Sequence, residues 1–336
     1  MNKQSLEKAR EQLISNVIEI LSVKQILDTD FGPEVWAIDQ LVPQGSITAI
    51  TGMPGSYKTW LTLEIARCIS RGSDFLGHFK TNLGKVLIID KENNIRYIQK
   101  RLKALGVDDD AIYYFKRPEN FFIDDKKSFD TLLDIIKGLK IDLVIFDSFV
   151  RMHNGDENEA RAVSKIIAAF RKMTGKGPTV IFIHHNRKES ASTQGTTNSV
   201  RGSSDIIGGI DSLIQVRKRG KCDLMIQNSK QRYGEELDAF KVKIITSEDK
   251  GSIAFSYAGA ADTDSFDVEK AIEEMLDILS DGVERPRKQL TKELVGDYGP
   301  SVIAEALSII SKTKKVKRNV GAHNKYSYAI NIEPSA

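Results

Sequence analysis

The chain opens on a helical period. Leu6, Ala9, Leu13, Val17, Ile20 and Leu21 recur at helical spacing, which predicts an N-terminal helical arm over residues 1–30. Such an arm can pack on a neighbouring subunit or cap its own domain. From residue 46 the pattern changes to short, unbroken apolar runs at 46–50, 85–90, 112–115, 141–146 and 179–183. Between them lie helix-like segments at 60–70, 95–105, 128–139 and 159–173. Runs without alternation suit strands buried on both faces, and strand–helix alternation predicts a mainly parallel sheet. A short helix at 205–210 and strands near 212–217, 223–228, 240–246 and 252–257 finish that sheet with antiparallel additions. Small residues at 259–266 mark a linker. Helices at 268–279, 287–294 and 300–310, then a hairpin of 316–320 with 326–330, have a winged-helix layout. The expected architecture is an α/β domain over 31–258 and a small α+β winged-helix domain over 267–333.

Composition narrows this picture a little. Of 336 residues, 40% are apolar and 28% charged, and 49 Lys+Arg against 46 Asp+Glu leave a net charge of +3. That balance carries no argument for nucleic acid, so local clusters must. Between Arg285 and Lys325 lie ten bases, opposed by Glu293, Asp297 and Glu305. There Lys315, Lys317 and Arg318 are candidates for phosphate contacts with duplex DNA, and docking of a replication protein is the alternative. No apolar stretch is long enough to span a membrane and no signal core opens the chain, so no membrane partner and a cytoplasmic location are expected. Cys68 and Cys222 are isolated and read as reduced thiols, not zinc ligands.

The candidate chemistry sits at strand ends. The run 46–50 leads into Gly52-Met53-Pro54-Gly55-Ser56-Tyr57-Lys58-Thr59, followed by a helix. Strand, glycine loop, Lys-Thr and helix is the layout of a phosphate-binding P-loop. Backbone N–H groups would cradle the phosphates of ATP, Lys58 would reach them, and the Thr59 hydroxyl would ligand Mg²⁺. Tyr57 stands where the plain pattern has its second glycine. The run 141–146 ends in Asp147, a second Mg²⁺ ligand in Walker B position. Residues 179–183 end in His184-His185, where a polar group could touch the γ-phosphate. The loop 187–204 is nearly free of apolar residues, and its Arg187, Lys188 and Arg201 would meet nucleic-acid phosphates without aromatic stacking. Trp36, ahead of the loop, can stack on a base or belong to the core.

With these pieces in order, residues 35–257 resemble the RecA-type ATPase core, most closely the branch of RepA-like and DnaB-type hexameric helicases. The resemblance rests on the 52–59 loop, Leu87-Ile88-Ile89-Asp90-Lys91-Glu92-Asn93, Val144-Ile145-Phe146-Asp147-Ser148, Ile183-His184-His185, Arg201-Gly202-Ser203-Ser204-Asp205 and Lys230-Gln231-Arg232-Tyr233-Gly234. It implies that Glu92 orients the attacking water and that His184 senses the γ-phosphate, with His185 not excluded. Lys230 and Arg232 would reach the next subunit's nucleotide. The implied function is an ATP-driven, ring-forming motor on single-stranded DNA, a replicative helicase of a plasmid, phage or mobile element. The alternative is a non-motor ATPase of the same fold, acting as recombination mediator or DNA-binding replication regulator.

Overall fold

A computed structural model describes residues 21–116, 121–152, 160–185, 204–219, 222–247, 251–261, 263–295, 298–313, 316–320 and 326–330. The chain divides into two units, Met1–Val35 and Trp36–Ala336. In the first, helix α1 (Val23–Asp28) starts on a capping box. The Ser22 hydroxyl accepts from the Gln25 N–H at 3.2 Å, and the Gln25 side chain accepts from the Ser22 N–H at 2.7 Å. Its apolar residues stay in water: Val23 is 73% and Leu27 78% exposed. The rest of the predicted arm, residues 1–20, lies outside the described residues.

The second unit is built on a nine-stranded sheet. Its strands are β3 (Ile47–Gly52), β4 (Val86–Asp90), β5 (Ile112–Lys116), β6 (Leu143–Asp147), β7 (Thr179–His185), β8 (Ser212–Arg219), β9 (Asp223–Gln231), β10 (Phe240–Ser247) and β11 (Ser252–Ala260). A small ribbon, β1 (Trp36–Ile38) with β2 (Val42–Pro43), precedes them. The order across the sheet is β11-β10-β9-β8-β3-β7-β6-β4-β5. Neighbours from β8 to β5 run parallel, and β8 through β11 pair antiparallel. This is the α/β, mainly parallel sheet with antiparallel additions that the strand–helix alternation predicts.

The unbroken apolar runs are explained by cores on both faces of the sheet. Leu143 and Ile145 enter one with residues of α2 (Lys58–Arg71). Val144 and Phe146 enter the other with α4 (Lys126–Leu139) and α5 (Ala160–Thr174). In the second core the rings of Phe146, Phe149, Phe170 and Phe182 nest, with centroids 4.9 Å apart for the closest pairs. Each such ring stabilises the fold by about 1.5–3 kcal/mol relative to exposure. Helices α3 (Ile95–Ala104), started by an Asn94 cap, and α6 (Ser204–Gly209) complete this part.

Beyond β11 the expected linker shrinks. Gly259 and Ala260 are still strand, because Phe240 pairs with Ala260 and the Ala261 N–H bonds the Ala239 carbonyl. Helix α7 (Thr263–Leu279) then begins, followed by β12 (Arg285–Pro286), α8 (Arg287–Leu294), α9 (Pro300–Ile310), β13 (Val316–Val320) and β14 (Tyr326–Ile330). The three strands form a sheet in the order β12-β14-β13. Met275, Leu290, Ile303, Leu307 and Tyr328 share a core of their own.

Candidate active site

At the end of β3 the backbone passes so close to β8 that a Cβ on Gly52 would collide with the Val216 carbonyl oxygen. Gly55 follows at φ +79°. Tyr57 also takes a left-handed conformation, φ 64° and ψ 16°, at the position where the plain motif has glycine. For a residue with a side chain this costs about 1–2 kcal/mol. Packing offsets it: the ring meets Phe255 edge-on at 6.3 Å, and Lys218 Nζ lies 5.8 Å from its centroid. Tyr57 is also the N-cap of α2 and makes no capping hydrogen bond. The first N–H groups of the helix therefore stay available to an anion. Lys58 curls back on its loop, with Nζ 2.9 Å from the Gly52 carbonyl and 2.7 Å from that of Met53.

The facing wall is made by neighbouring strand ends. Parallel register sets Asp90 beside Asp147, and His185 beside Gly52. The Thr59 hydroxyl donates to Asp147 Oδ2 at 2.7 Å. Asp90, almost fully buried, accepts from the N–H groups of Glu92 and Asn93 at 2.8 Å each. That tight turn carries Glu92 over the cleft. Asn93 Nδ2 reaches Asp90 at 3.0 Å and Asp147 at 3.3 Å, and Arg101 donates to Asn93 Oδ1 at 3.2 Å. Glu92 Oε2 lies 3.8 Å from His185 Nε2. The cleft they enclose, also lined by Trp60, Lys218 and Ile253, has a volume of about 440 Å³.

Burial perturbs the charges there. Asp147 is pushed up to about 7 by desolvation and by neighbouring Asp90. Desolvation pulls Lys58 down to about 8. Glu92 goes the other way, held at about 2 by His185 and Ser148 beside it, so it is ionised at neutral pH. A buried amine beside open N–H groups suits an anionic phosphate. A hydroxyl touching a buried carboxylate suits a hard divalent cation. Among the described residues no group of three or more His, Cys, Asp or Glu converges on a metal. Mg²⁺ held with a nucleotide needs no such cage, because phosphates and waters complete its shell. The residues present therefore fit ATP with Mg²⁺.

His184, the other candidate for the γ-phosphate, is fully buried on the opposite face of β7 with its ring edge-on to Phe149 at 5.4 Å. Strand alternation turns His185, not His184, to the cleft. Trp36 does not line the cleft; its ring lies against the turn at Gly234.

Lys230 and Arg232 sit at the other end of the sheet. Gln231 pairs with Ser212, which pairs with Thr48 near the start of β3. The loop beyond Gly52 is four residues further on, about 13 Å along the strand. Lys230 Nζ donates to the Ile207 carbonyl at 2.5 Å, and Arg232 to that of Gly208 at 3.3 Å. At the centre of this end lies Asp211, fully buried, which no motif announces. It takes two bonds from Arg171 at 2.5 and 2.7 Å, an ion pair from Arg232 at 3.2 Å, and the Ile47 N–H at 2.9 Å.

Arg187, Lys188, Arg201 and Lys315 lie outside the described residues. Lys317 and Arg318 are neighbours on β13 and leave it on opposite faces. Asn93, part of the 87–93 block but with no role of its own there, joins the cleft, as do Arg101 and Lys218, which no motif marks.

An AAA domain family matches residues 16–191, more than half of the chain. Two solved structures are also similar. One is an isolated ATPase domain, which matches with a TM-score of 0.49 and 12% identity, over 76% of this chain and 98% of that one. The other is a DnaB-like replicative helicase, solved in a study of its interactions with primase. It matches with a TM-score of 0.49 and 13% identity, over 74% of this chain and 71% of that one.

Proposed function

The chain belongs to the AAA domain family, and from that premise we propose that it is an ATP-hydrolysing, ring-forming motor on single-stranded DNA, of the replicative helicase type. A hexameric ring and a plasmid, phage or mobile-element replicon are the finer reading that the motif resemblance implies. The observation that carries the proposal is the separation of two sets of residues. Lys58, Thr59, Asp147 and Glu92 surround one open cleft, whereas Lys230 and Arg232 lie at the far end of the same sheet. Basic fingers that cannot serve their own nucleotide are suited to serve a neighbour's. The exposed apolar residues Val23, Leu27 and Phe31 support the same reading, because a subunit arm needs such a surface.

In this reading Lys58 exchanges its loop carbonyls for the β- and γ-phosphates, and the N–H groups of Gly55, Tyr57, Lys58 and Thr59 hold the same oxygens. Thr59 and Asp147 would hold Mg²⁺, which would supply charge neutralisation at the phosphates. Ionised Glu92 orients a water and accepts its proton, and a weak base suffices because phosphoryl transfer asks chiefly for positioning. His185, beside Glu92, takes the γ-phosphate contact in place of His184. Lys230 and Arg232 neutralise transition-state charge in trans, a contribution of about 10³–10⁵ in rate. The last part of the chain, with its helix, strand, two helices and hairpin, acts as a winged-helix module.

The test is ATPase rate with and without single-stranded DNA, across a dilution series. Stimulation by the strand and a specific activity that falls on dilution are expected. Specific activity that stays flat down to confirmed monomers would sink the ring, and binding of duplex without any stimulation would favour the regulator.

A further inference from the structure

The C-terminal part carries a double cavity that the ATPase reading does not use. One half, about 620 Å³, is polar and lies between α8, α9 and the hairpin, with Arg287, Ser308, Ser311, Lys312 and Arg318 on its walls. The other half, about 880 Å³, is largely apolar, with Val295, Thr291 and Pro286 in its lining and Lys288 and Lys292 beside them. Arg287 and Tyr326 line both halves.

Register explains why the charge gathers there. Arg318 pairs with Tyr328 and Val320 with Tyr326, so Arg318 shares the helix-facing side of the hairpin with both tyrosines. Its guanidinium lies 4.9 Å from the Tyr326 ring centroid. Lys317 leaves on the other side, where Ser327 bonds Glu284. Arg285 is matched by Asp281, at 2.5 and 2.7 Å. Among the described residues no carboxylate pairs with Arg287, Lys312 or Arg318, and no acid lines the polar half.

We infer that this double cavity seats one nucleotide of a single-stranded nucleic acid. The phosphodiester lies against Arg287, Lys312 and Arg318, and an unstacked base rests on Tyr326 over the apolar half. Three cations without acids match a phosphate, and an aromatic face next to them matches a base of any sequence. A duplex keeps its base faces covered and cannot use Tyr326. The exposed positions of α9, Pro300, Ser301, Ala304, Glu305, Ser308 and Ile309, carry no cation, so that helix is poorly equipped to lie in a duplex groove.

The experiment uses the full chain without nucleotide. A fluorescein-labelled dT hexamer is followed by anisotropy, and an iodouracil-containing hexamer is photo-crosslinked and mapped by mass spectrometry. A crosslink at Tyr326 is expected. Arg287→Ala with Arg318→Ala should weaken the hexamer at least tenfold and flatten its salt dependence. Tyr326→Leu should weaken it about fivefold or more, whereas Tyr326→Phe keeps the ring and the affinity. Unstimulated ATPase should be unchanged in these variants. Lys58→Ala should retain the crosslink, which separates this site from the ATPase reading. Wild-type affinity in the arginine and Tyr326→Leu variants would overturn the inference. So would equal binding of a duplex hexamer, or displacement by poly-glutamate with Tyr326→Leu behaving as wild type, the mark of a protein-docking surface.

Discussion

The two ends of the central sheet hold charge in opposite ways. At the cleft end, Lys58 is pulled down to about 8 and Asp147 is pushed up to about 7, with open volume between them. At the far end, Asp211 is just as buried, yet Arg171, Arg232 and a backbone N–H saturate it. Burial alone therefore does not mark a working site. Burial that a ligand must complete does, whereas burial already completed fixes position, here that of Arg232.

The largest break in this comparison should come from Arg232→Ala, which lowers kcat about 10³-fold while nucleotide affinity, measured by titration of a fluorescent ATP analogue, stays within about threefold. Next, Asp211→Asn removes the charge paired with both arginines and turns one acceptor oxygen into a donor, and should destabilise the chain by about 3 kcal/mol in urea unfolding. Lys58→Ala should do the reverse: hydrolysis is lost by about 10²-fold or more, with urea stability held or raised, because a desolvated buried amine is removed. Tyr57→Gly relieves the left-handed strain and loses the ring's packing, so stability should move by no more than about 1 kcal/mol.

The smallest effect concerns Cys68. Burial beside Glu64 pushes its thiol up to about 12. It stays protonated at pH 8, so iodoacetamide should reach exposed Cys222 and spare Cys68 until the chain unfolds. A thiol raised in the folded state stabilises fully below its unfolded value, and that contribution fades as pH climbs towards 12.

How much of this is legible in the sequence follows from how local each feature is. The buried strands are written as unbroken apolar runs, and the cleft's Lys58, Thr59, Glu92 and Asp147 each end or follow one. The edge strand through Ala260 is harder to see, because its outward face needs no apolar residues and its glycine and alanines imitate a linker. Strand β12 is only two residues long and has no period to read. Asp211, Arg171 and Arg101 are lone charges until the fold gathers them. Alternation separates His184 from His185, but only the core around Phe149 tells which one turns inward.

The most direct measurement of the proposed composite site is subunit mixing. In the proposed reading Lys58→Ala chains lack a working cleft and Arg232→Ala chains lack a finger, so neither should hydrolyse ATP appreciably alone. Mixed and allowed to exchange, they should recover ATPase well above the sum of the two, because an intact cleft can meet an intact finger across an interface. A mixture that stays at that sum, with exchange confirmed by energy transfer between labelled subunits, would contradict the account.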